Sequence, residues 1–431
     1  MKLRHPGQMP SLLFANSRGE IQDFADLRMA GRSAYQYKSP ELTDLIPLPE
    51  GSELFVLPGR LPVGFDPADG QAARLLENPY HPNEGIQAVA AFVAPAHTTI
   101  LSAAFEKVDT TVSPLPLFAY TAVGWHDNQF WVASFRSDAS HRQDASHFDP
   151  KKIKTRTLAA LKRHPENRLI QHLGKCSLTY SCPAAKNYFL GREEAPLPTS
   201  PACNAHCVGC ISLQPSGCCP STQDRIKFVP SPREIAEVAV PHLNAIDRAV
   251  VSFGQGCEGE PLLQAATIEQ AIRSIRKQTS RGTINLNSNA SLPDAVGRLA
   301  EAGLDSIRVS LNSARPAQHT LYYRPQGFDF KDVCQSIAEM KKRGRFVSLN
   351  YFICPGVTDC EAETEAFCQL IDAYQPDFIQ LRNLNMDPDW YLETIHHPQA
   401  ETAIGIRQWH STIKKRFPKL RYGYFNPALR P

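Results

Sequence analysis

The sequence predicts an α/β chain, with a partial parallel (βα)6 barrel in the C-terminal half preceded by a β-rich accessory domain. Three observations carry that expectation. From about residue 196 short β-branched runs alternate with amphipathic helical stretches. Before residue 150 the apolar runs are shorter and divided by turn residues. Proline, 35 of 431 residues, exceeds its usual share of roughly 5%, and most of the excess precedes residue 240.

In the first half, Glu53–Leu57 and Ile86–Val93 read as strands. Leu117–Val123 and Phe130–Phe135 flank His126-Asp127-Asn128-Gln129, a hairpin turn. The expected organisation is an accessory domain over 1–150, a basic cysteine-containing linker over 151–195 and the partial barrel over 196–431. Asp138-Ala-Ser-His141 repeats as Asp144-Ala-Ser-His147 and reads as a solvated loop.

In the second half the strand candidates are Ala249–Phe253, Thr283–Asn287, Ser306–Leu311, Phe346–Ile353 and Phe378–Leu381, with a first strand before Cys203. Helix signals fall between them. Ser231-Pro-Arg-Glu234 is a capping box with proline at the first helical position. Thr267 is expected to cap a helix with Ile268, Ala271, Ile272 and Ile275 on one face. Gly303 and Gly344 sit where two helices should stop. Six strand–helix units in a row call for parallel strands. They are fewer than the eight of a closed barrel, whose active sites lie at the C-terminal strand ends.

Composition narrows the function. A net charge of +3 is too small to argue for nucleic acid by itself. Lys151–Arg192, however, holds ten Lys or Arg and one acid, Glu166, and fits either a solvated helix face or a surface for RNA or an acidic electron-transfer partner. No apolar run approaches the ~18 residues of a membrane span, and Leu12–Ala15 is too short for a signal-peptide core. The twelve cysteines are therefore expected in a reducing cytoplasm, where clustered thiols point to metal or redox chemistry before disulfides.

The decisive cluster is Cys203-x3-Cys207-x2-Cys210. Three thiolates within eight residues can hold three irons of a cubane and leave a fourth open. The competing reading is zinc, with His206 or the Cys218-Cys219 pair completing a tetrahedron, which would make the chain a non-catalytic zinc-stabilised binding module.

The spacing, in the loop after the first barrel strand, resembles the radical S-adenosylmethionine (SAM) superfamily over roughly residues 196–400. The resemblance implies an enzyme with a [4Fe–4S] cluster on Cys203, Cys207 and Cys210. It also implies SAM at the open iron, a 5′-deoxyadenosyl radical that takes hydrogen from a substrate, and a reducing partner such as a flavodoxin or ferredoxin. One departure stands out. Gly209 occupies the position where the family usually carries an aromatic residue.

Gly254-Gln-Gly256-Cys-Glu-Gly259 matches G-x-G-x-x-G, but Pro261 follows at once and no acid lies between Glu269 and Asp294. A dinucleotide site requires the opposite on both counts. By resemblance, Gly259-Glu260-Pro261 corresponds instead to the family's Gly-Gly-Glu segment, with Glu258 in place of the first glycine. That assigns the SAM amino group to Glu260 or its neighbouring carbonyls. The same resemblance gives Asn287, Ser310 and Asn312 to the methionine and ribose groups, and Ile353 to Gly356 to the adenine. Asn289 and Asn350 are further polar strand ends, while Gln380, Arg382, Asn383 and Asn385 face the substrate side. Cys176, Cys182, Cys218 and Cys219 are candidates for a second metal site. Cys257, Cys334, Cys354, Cys360 and Cys368 read as small buried hydrophobes. The substrate (RNA, protein or peptide, or small molecule) and the groups that act on it are left open.

Overall fold

The computed structural model describes residues 9–141, 144–214, 217 and 219–430. They form two compact units. The first takes the described residues up to Ser146 together with Phe352–Cys368 and Leu381–Pro418; the second takes those of His147–Tyr351, Gln369–Gln380 and the segment from Lys419 onward.

The first unit is antiparallel β. Its main path runs His97–Thr99, Gln129–Arg136, Val123–His126, Ser11–Ala15, Ile21–Met29, Arg60–Phe65 and Phe105–Lys107. Glu53–Leu57 pairs with Gln87–Phe92 in register from Glu53↔Phe92 to Leu57↔Ala88. Leu13, Val89, Val123 and Val132 meet in one buried cluster, and Met29, Leu101 and Trp131 in another. Each such side chain contributes roughly 1.5–3 kcal/mol when fully buried.

The expected hairpin is present, with Asp127 and Asn128 both at positive φ (50° and 56°), as a two-residue turn between twisted strands requires. Its first strand is later than expected. Only Val123–His126 pairs with Gln129–Arg136, and Leu117–Ala122 is not a strand. Pro114 and Pro116 precede it, and the carbonyl of Pro116 accepts both the Phe118 N–H (2.8 Å) and the Tyr120 hydroxyl (2.7 Å). Those bonds turn the chain locally instead of feeding a ladder.

A buried ion pair fastens the returning segment. Arg60 donates to Asp387 at 2.6 Å, and the same carboxylate accepts from the Leu115 N–H at 2.9 Å and from the Asp389 N–H at the start of the helix Pro388–Thr394. With Arg60 also donating to the Pro58 and Ser113 carbonyls, the pair escapes the cost of an unpaired buried charge.

The second unit opens with three helices, Pro150–Arg163, Arg168–Leu178 and Pro183–Leu190. Asp149 and Asn167 cap the first two with side-chain acceptors. Lys151, Lys152, Lys154, Lys162 and Arg163 are exposed on the first, whereas Arg168 pairs with Glu234 at 2.7 Å.

The sheet that follows has seven strands in sequence order: Glu194–Pro196, Val250–Phe253, Thr283–Ser288, Ser306–Leu311, Phe346–Ile353, Phe378–Asn383 and Arg421–Gly423. Successive pairings along it are parallel. The partial parallel barrel expected from the alternation is therefore present, with one short strand more than the six units foreseen. The capping box at Ser231 and Glu234 is formed in both directions. Gly303 ends its helix in the left-handed region at φ 118°. Thr267 is not a cap. Glu260 caps the single turn Pro261–Gln264, which runs directly into the helix Ala265–Gln278, so Thr267 already lies inside. The expected face of that helix, Ile268, Ala271, Ile272 and Ile275, is fully buried. Among the described residues no helix is long and apolar enough to cross a membrane.

Candidate functional site

The loop between Pro196 and Ser231 carries Cys203, Cys207 and Cys210, all half-buried, at the C-terminal end of the first strand of the second unit. Three neighbouring elements hold it. The Gly259 N–H donates to the Ser200 carbonyl (2.7 Å) and the Glu260 N–H to the Ala202 carbonyl (2.8 Å), which staples the loop to the end of the second strand. Asn204 accepts from the Asn289 side chain and donates to Ser291 Oγ, each at 2.9 Å, and so joins it to the third. The His206 and Val208 amides donate to the Tyr323 and Tyr322 carbonyls at the end of the helix Pro316–Tyr323.

Two buried carboxylates stand behind the loop. Glu258 accepts four backbone amides, those of Thr199 (2.7 Å), Ser200 (2.9 Å), Gly254 (2.7 Å) and Gln255 (2.8 Å). Glu260 accepts the Leu262 amide (2.9 Å), the Ser288 hydroxyl (2.6 Å) and the Asn289 amide (2.8 Å). Burial pushes each up to about 7, against the hydrogen bonds, which pull it down. Glu258, read from sequence only as a substituted glycine, is thus the clamp between the first and second strand ends. Glu260 is likewise engaged, tying the second strand end to the third.

Ionising Cys203 and Cys207 without a cation is uphill. Burial first, then the charge of Glu260, pushes Cys203 up to about 11. Burial and the neighbouring Cys210 and Cys203 push Cys207 well above its ordinary value. The nearest positive group is Arg225, which sequence reasoning missed. Its guanidinium donates to Cys210 Sγ (3.5 Å) and to Ser212 Oγ (3.1 Å), and Ser212 in turn donates to the Glu258 carbonyl (3.2 Å). No local pattern marks Arg225, which lies fifteen residues after Cys210.

Of the expected SAM contacts, Gly259 and Glu260 lie directly against the cysteine loop. Asn287 is buried, donating to the Gly254 carbonyl (3.1 Å) and accepting from Asn285 (2.7 Å). Ser310 is half-buried on the fourth strand, and Asn312 is buried and donates to the Gln318 carbonyl (3.1 Å). Gln380 sits in a polar layer inside the sheet, between Arg308 (3.1 Å) and Asn426 (2.9 Å). Ile353 and Gly356 belong to the first unit. Ile353 is buried there. Gly356, at φ 91°, lies against Ser33 and Ala34, where a Cβ would stand 2.3 Å from the Ala34 amide nitrogen. Asn383, in the same unit, accepts from the Thr99 amide (2.9 Å) and donates to the His97 carbonyl (3.0 Å).

The remaining cysteines sort differently from the sequence reading. Cys176 groups with Cys257, expected to be a lone hydrophobe, and with His172. Cys182 packs on the same cluster. Cys219 is buried and not part of that cluster as described, while Cys218 lies outside the described residues.

Comparison with known proteins places this arrangement. The sequence pattern of the radical SAM superfamily matches residues 197–368, the stretch that contains the cysteine loop and four of the strand ends. The chain is similar to the FeMo cofactor biosynthesis protein NifB of Klebsiella pneumoniae, 25% identical over 183 residues, covering 38% of this chain and 37% of that protein. It is also similar to the GTP 3′,8-cyclase of Streptomyces coelicolor, 26% identical over 198 residues, covering 44% and 53%. The matched region therefore spans only about a third to a half of these relatives. Among solved structures, a radical SAM methyltransferase from Sphaerobacter thermophilus is 13% identical with a TM-score of 0.38, covering 55% of this chain and 67% of that one. With the Cys-x3-Cys-x2-Cys loop set at the end of the first parallel strand, residues 197–368 of the chain carry the pattern of the radical SAM superfamily.

Proposed function

We propose that this chain is an enzyme that cleaves SAM reductively and uses the resulting radical to take hydrogen from a substrate still to be identified. The observation that supports this most directly is the cysteine loop itself. Three thiols stand on one segment, braced from behind by the Gly259–Glu260 backbone and faced by Arg225. The donor set suits a [4Fe–4S] cluster. Cys203 and Cys207, which resist ionisation, need a cationic partner, and three ligands leave one iron for SAM. When bound, the cluster and SAM supply one-electron cleavage of the sulfur–C5′ bond.

The protein's own groups divide the remaining work. Cys203, Cys207 and Cys210 ligate, and Arg225 screens the charge on Cys210. The carbonyls beside Glu260 receive the SAM ammonium, since its carboxylate already accepts three hydrogen bonds. Asn287, Ser310 and Asn312 lie along the strand ends for the methionine and ribose groups. An electron donor such as a flavodoxin or ferredoxin is required, and a reducing cytoplasm suits an oxygen-labile centre. The exposed lysines of Pro150–Arg163 are where RNA would dock if RNA is the substrate.

The zinc-module reading is less well supported. Tetrahedral zinc would draw its thiolates to about 3.8 Å apart, given Zn–S bonds of about 2.3 Å. Cys203, Cys207 and Cys210 are not among the described His, Cys, Asp and Glu groups gathered within 4.8 Å.

The test is anaerobic reconstitution with iron and sulfide, then dithionite and SAM, with 5′-deoxyadenosine read by mass spectrometry. The expected result is 5′-deoxyadenosine from the wild-type chain and none from Cys203→Ala, Cys207→Ala or Cys210→Ala. Equal yield from any of the three, or a zinc-loaded protein that binds no iron, would overturn the proposal.

A further inference from the structure

The helix Arg168–Leu178 carries His172 and Cys176 four residues apart, which places them one above the other on one face. Against that face lies Cys257, which directly precedes Glu258 in the loop after the second strand. The His172 imidazole, the Cys176 thiol and the Cys257 thiol each offer a ligand atom, and these three atoms lie within 4.8 Å of one another. Among the described residues no other such group of His, Cys, Asp or Glu occurs.

We propose that His172, Cys176 and Cys257 form a second metal site, of the three-ligand thiolate–imidazole kind that takes zinc. The separation of His172 Nε2 from Cys176 Sγ is 3.5 Å. A tetrahedron with Zn–S of about 2.3 Å and Zn–N of about 2.0 Å has an S–N edge of about 3.5 Å. The helix already holds these two ligands at that edge.

Water would complete the tetrahedron, and Cys182 stands beside the three ligands. It packs on the cluster of Cys176, Ala185 and Cys257 with Tyr180, and its amide donates to the Cys176 carbonyl at 3.0 Å, which fixes the turn between the two helices. The sulfurs of Cys176 and Cys257 are buried, whereas His172 is half-exposed. A hydrated ion can therefore enter past the imidazole and lose its water on the sulfurs.

The position gives the site a purpose. Cys257 adjoins the Glu258 clamp, and its carbonyl accepts the Ile226 amide at 2.7 Å, one residue past Arg225. A metal here would pin the helical segment to the loop that braces the cysteine motif. The site is separate from the motif and does not depend on the reaction proposed above.

The test reads the metal alone. The full-length wild-type chain, reconstituted anaerobically, is expected to hold one zinc beside its iron. A Cys203→Ala/Cys207→Ala/Cys210→Ala triple variant should still bind one Co2+, with thiolate-to-cobalt charge-transfer absorption, and zinc should displace it. In that background Cys176→Ser and Cys257→Ser should each weaken Co2+ binding by about 100-fold, and His172→Ala and Cys182→Ser by about tenfold, the range seen when metal sites lose a ligand or its support. Should a variant fail to fold, alkylation of the wild-type chain decides, since zinc is expected to protect Cys176 and Cys257. Equal labelling with and without zinc would overturn the site. So would a charge-transfer band that survives both Cys176→Ser and Cys257→Ser, or a Cys176–Cys257 disulfide in anaerobically purified protein.

Discussion

Gly259 lies so close to Ala202 that a Cβ on Gly259 would stand 2.0 Å from the Ala202 carbonyl oxygen and 3.1 Å from the Cys203 amide nitrogen. The clash is with backbone on both counts, so no side-chain rotation relieves it. The Gly259→Ala variant must push the cysteine loop away and strain the bonds from Gly259 to Ser200 and from Glu260 to Ala202. We expect a loss of about 1–3 kcal/mol, as for other overpacked sites, and less than half the wild-type iron after reconstitution. Iron analysis and thermal unfolding check both. Wild-type iron content in Gly259→Ala would show that the loop tolerates the shift.

Arg225 is the cation nearest Cys210. Replacing it with a neutral chain of similar length, Arg225→Met, removes positive charge beside a ligand sulfur and leaves Ser212 without its donor. The cluster should then be harder to reduce, with cleavage of SAM slower by about tenfold, a typical cost of losing an outer partner of a ligand. A redox titration followed by electron paramagnetic resonance reads the potential directly. An unchanged potential with slower cleavage would assign Arg225 to SAM binding instead.

Glu258 gives the metal-free protein a pH dependence of definite sign. Its folded value, pushed up to about 7 by burial, exceeds the ordinary 4.5, so the folded state holds the proton more tightly. The stabilisation is fully present below pH 4.5 and is lost as pH rises through about 7. It is on the order of 3 kcal/mol. Glu260, pushed the same way, has a similar share. Denaturant unfolding of the metal-free chain should therefore show stability falling across this window, and Glu258→Gln should reduce the slope by about half. A variant profile parallel to the wild type would contradict the assignment.

Much of the second unit was legible because its signals are local. Ser306–Leu311 and Phe346–Ile353 match their strands residue for residue, since β-branched runs bounded by turn residues carry their own boundaries. The capping box at Ser231 did the same for a helix start. Other features depend on partners far along the chain. Thr267 has the chemistry of a cap, yet Glu260 begins the helical run a full turn before the helix Ala265–Gln278. The stretch 151–195 reads as a basic linker, but its helices bury Ile153, Leu169, Ile170 and Leu173, and that packing is not written in its charge. The cysteine motif announced itself by spacing. Arg225 and the grouping of Cys176 with Cys257 did not, because their neighbours are brought by the sheet and not by the sequence.

Asn426 is the clearest of these hidden residues. It follows the last strand, in a segment with no motif, and reaches into the polar layer inside the parallel sheet of the second unit. Its amide donates to Glu194 at 2.8 Å and approaches Asn287 at 3.3 Å, while its oxygen accepts from Gln380 at 2.9 Å. The Asn426→Ala variant removes the bonds to buried Gln380 and half-buried Glu194, at about 1–3 kcal/mol for the groups left unsatisfied. For a unit of this size that corresponds to a fall in Tm of roughly 2–12 °C. Asn287 would lose one of its two side-chain neighbours, so SAM affinity should fall as well if Asn287 touches SAM. Thermal unfolding and calorimetric SAM binding, run on the same reconstituted samples, separate the two effects. A lowered Tm with unchanged SAM affinity would confine Asn426 to stability and remove Asn287 from the binding site.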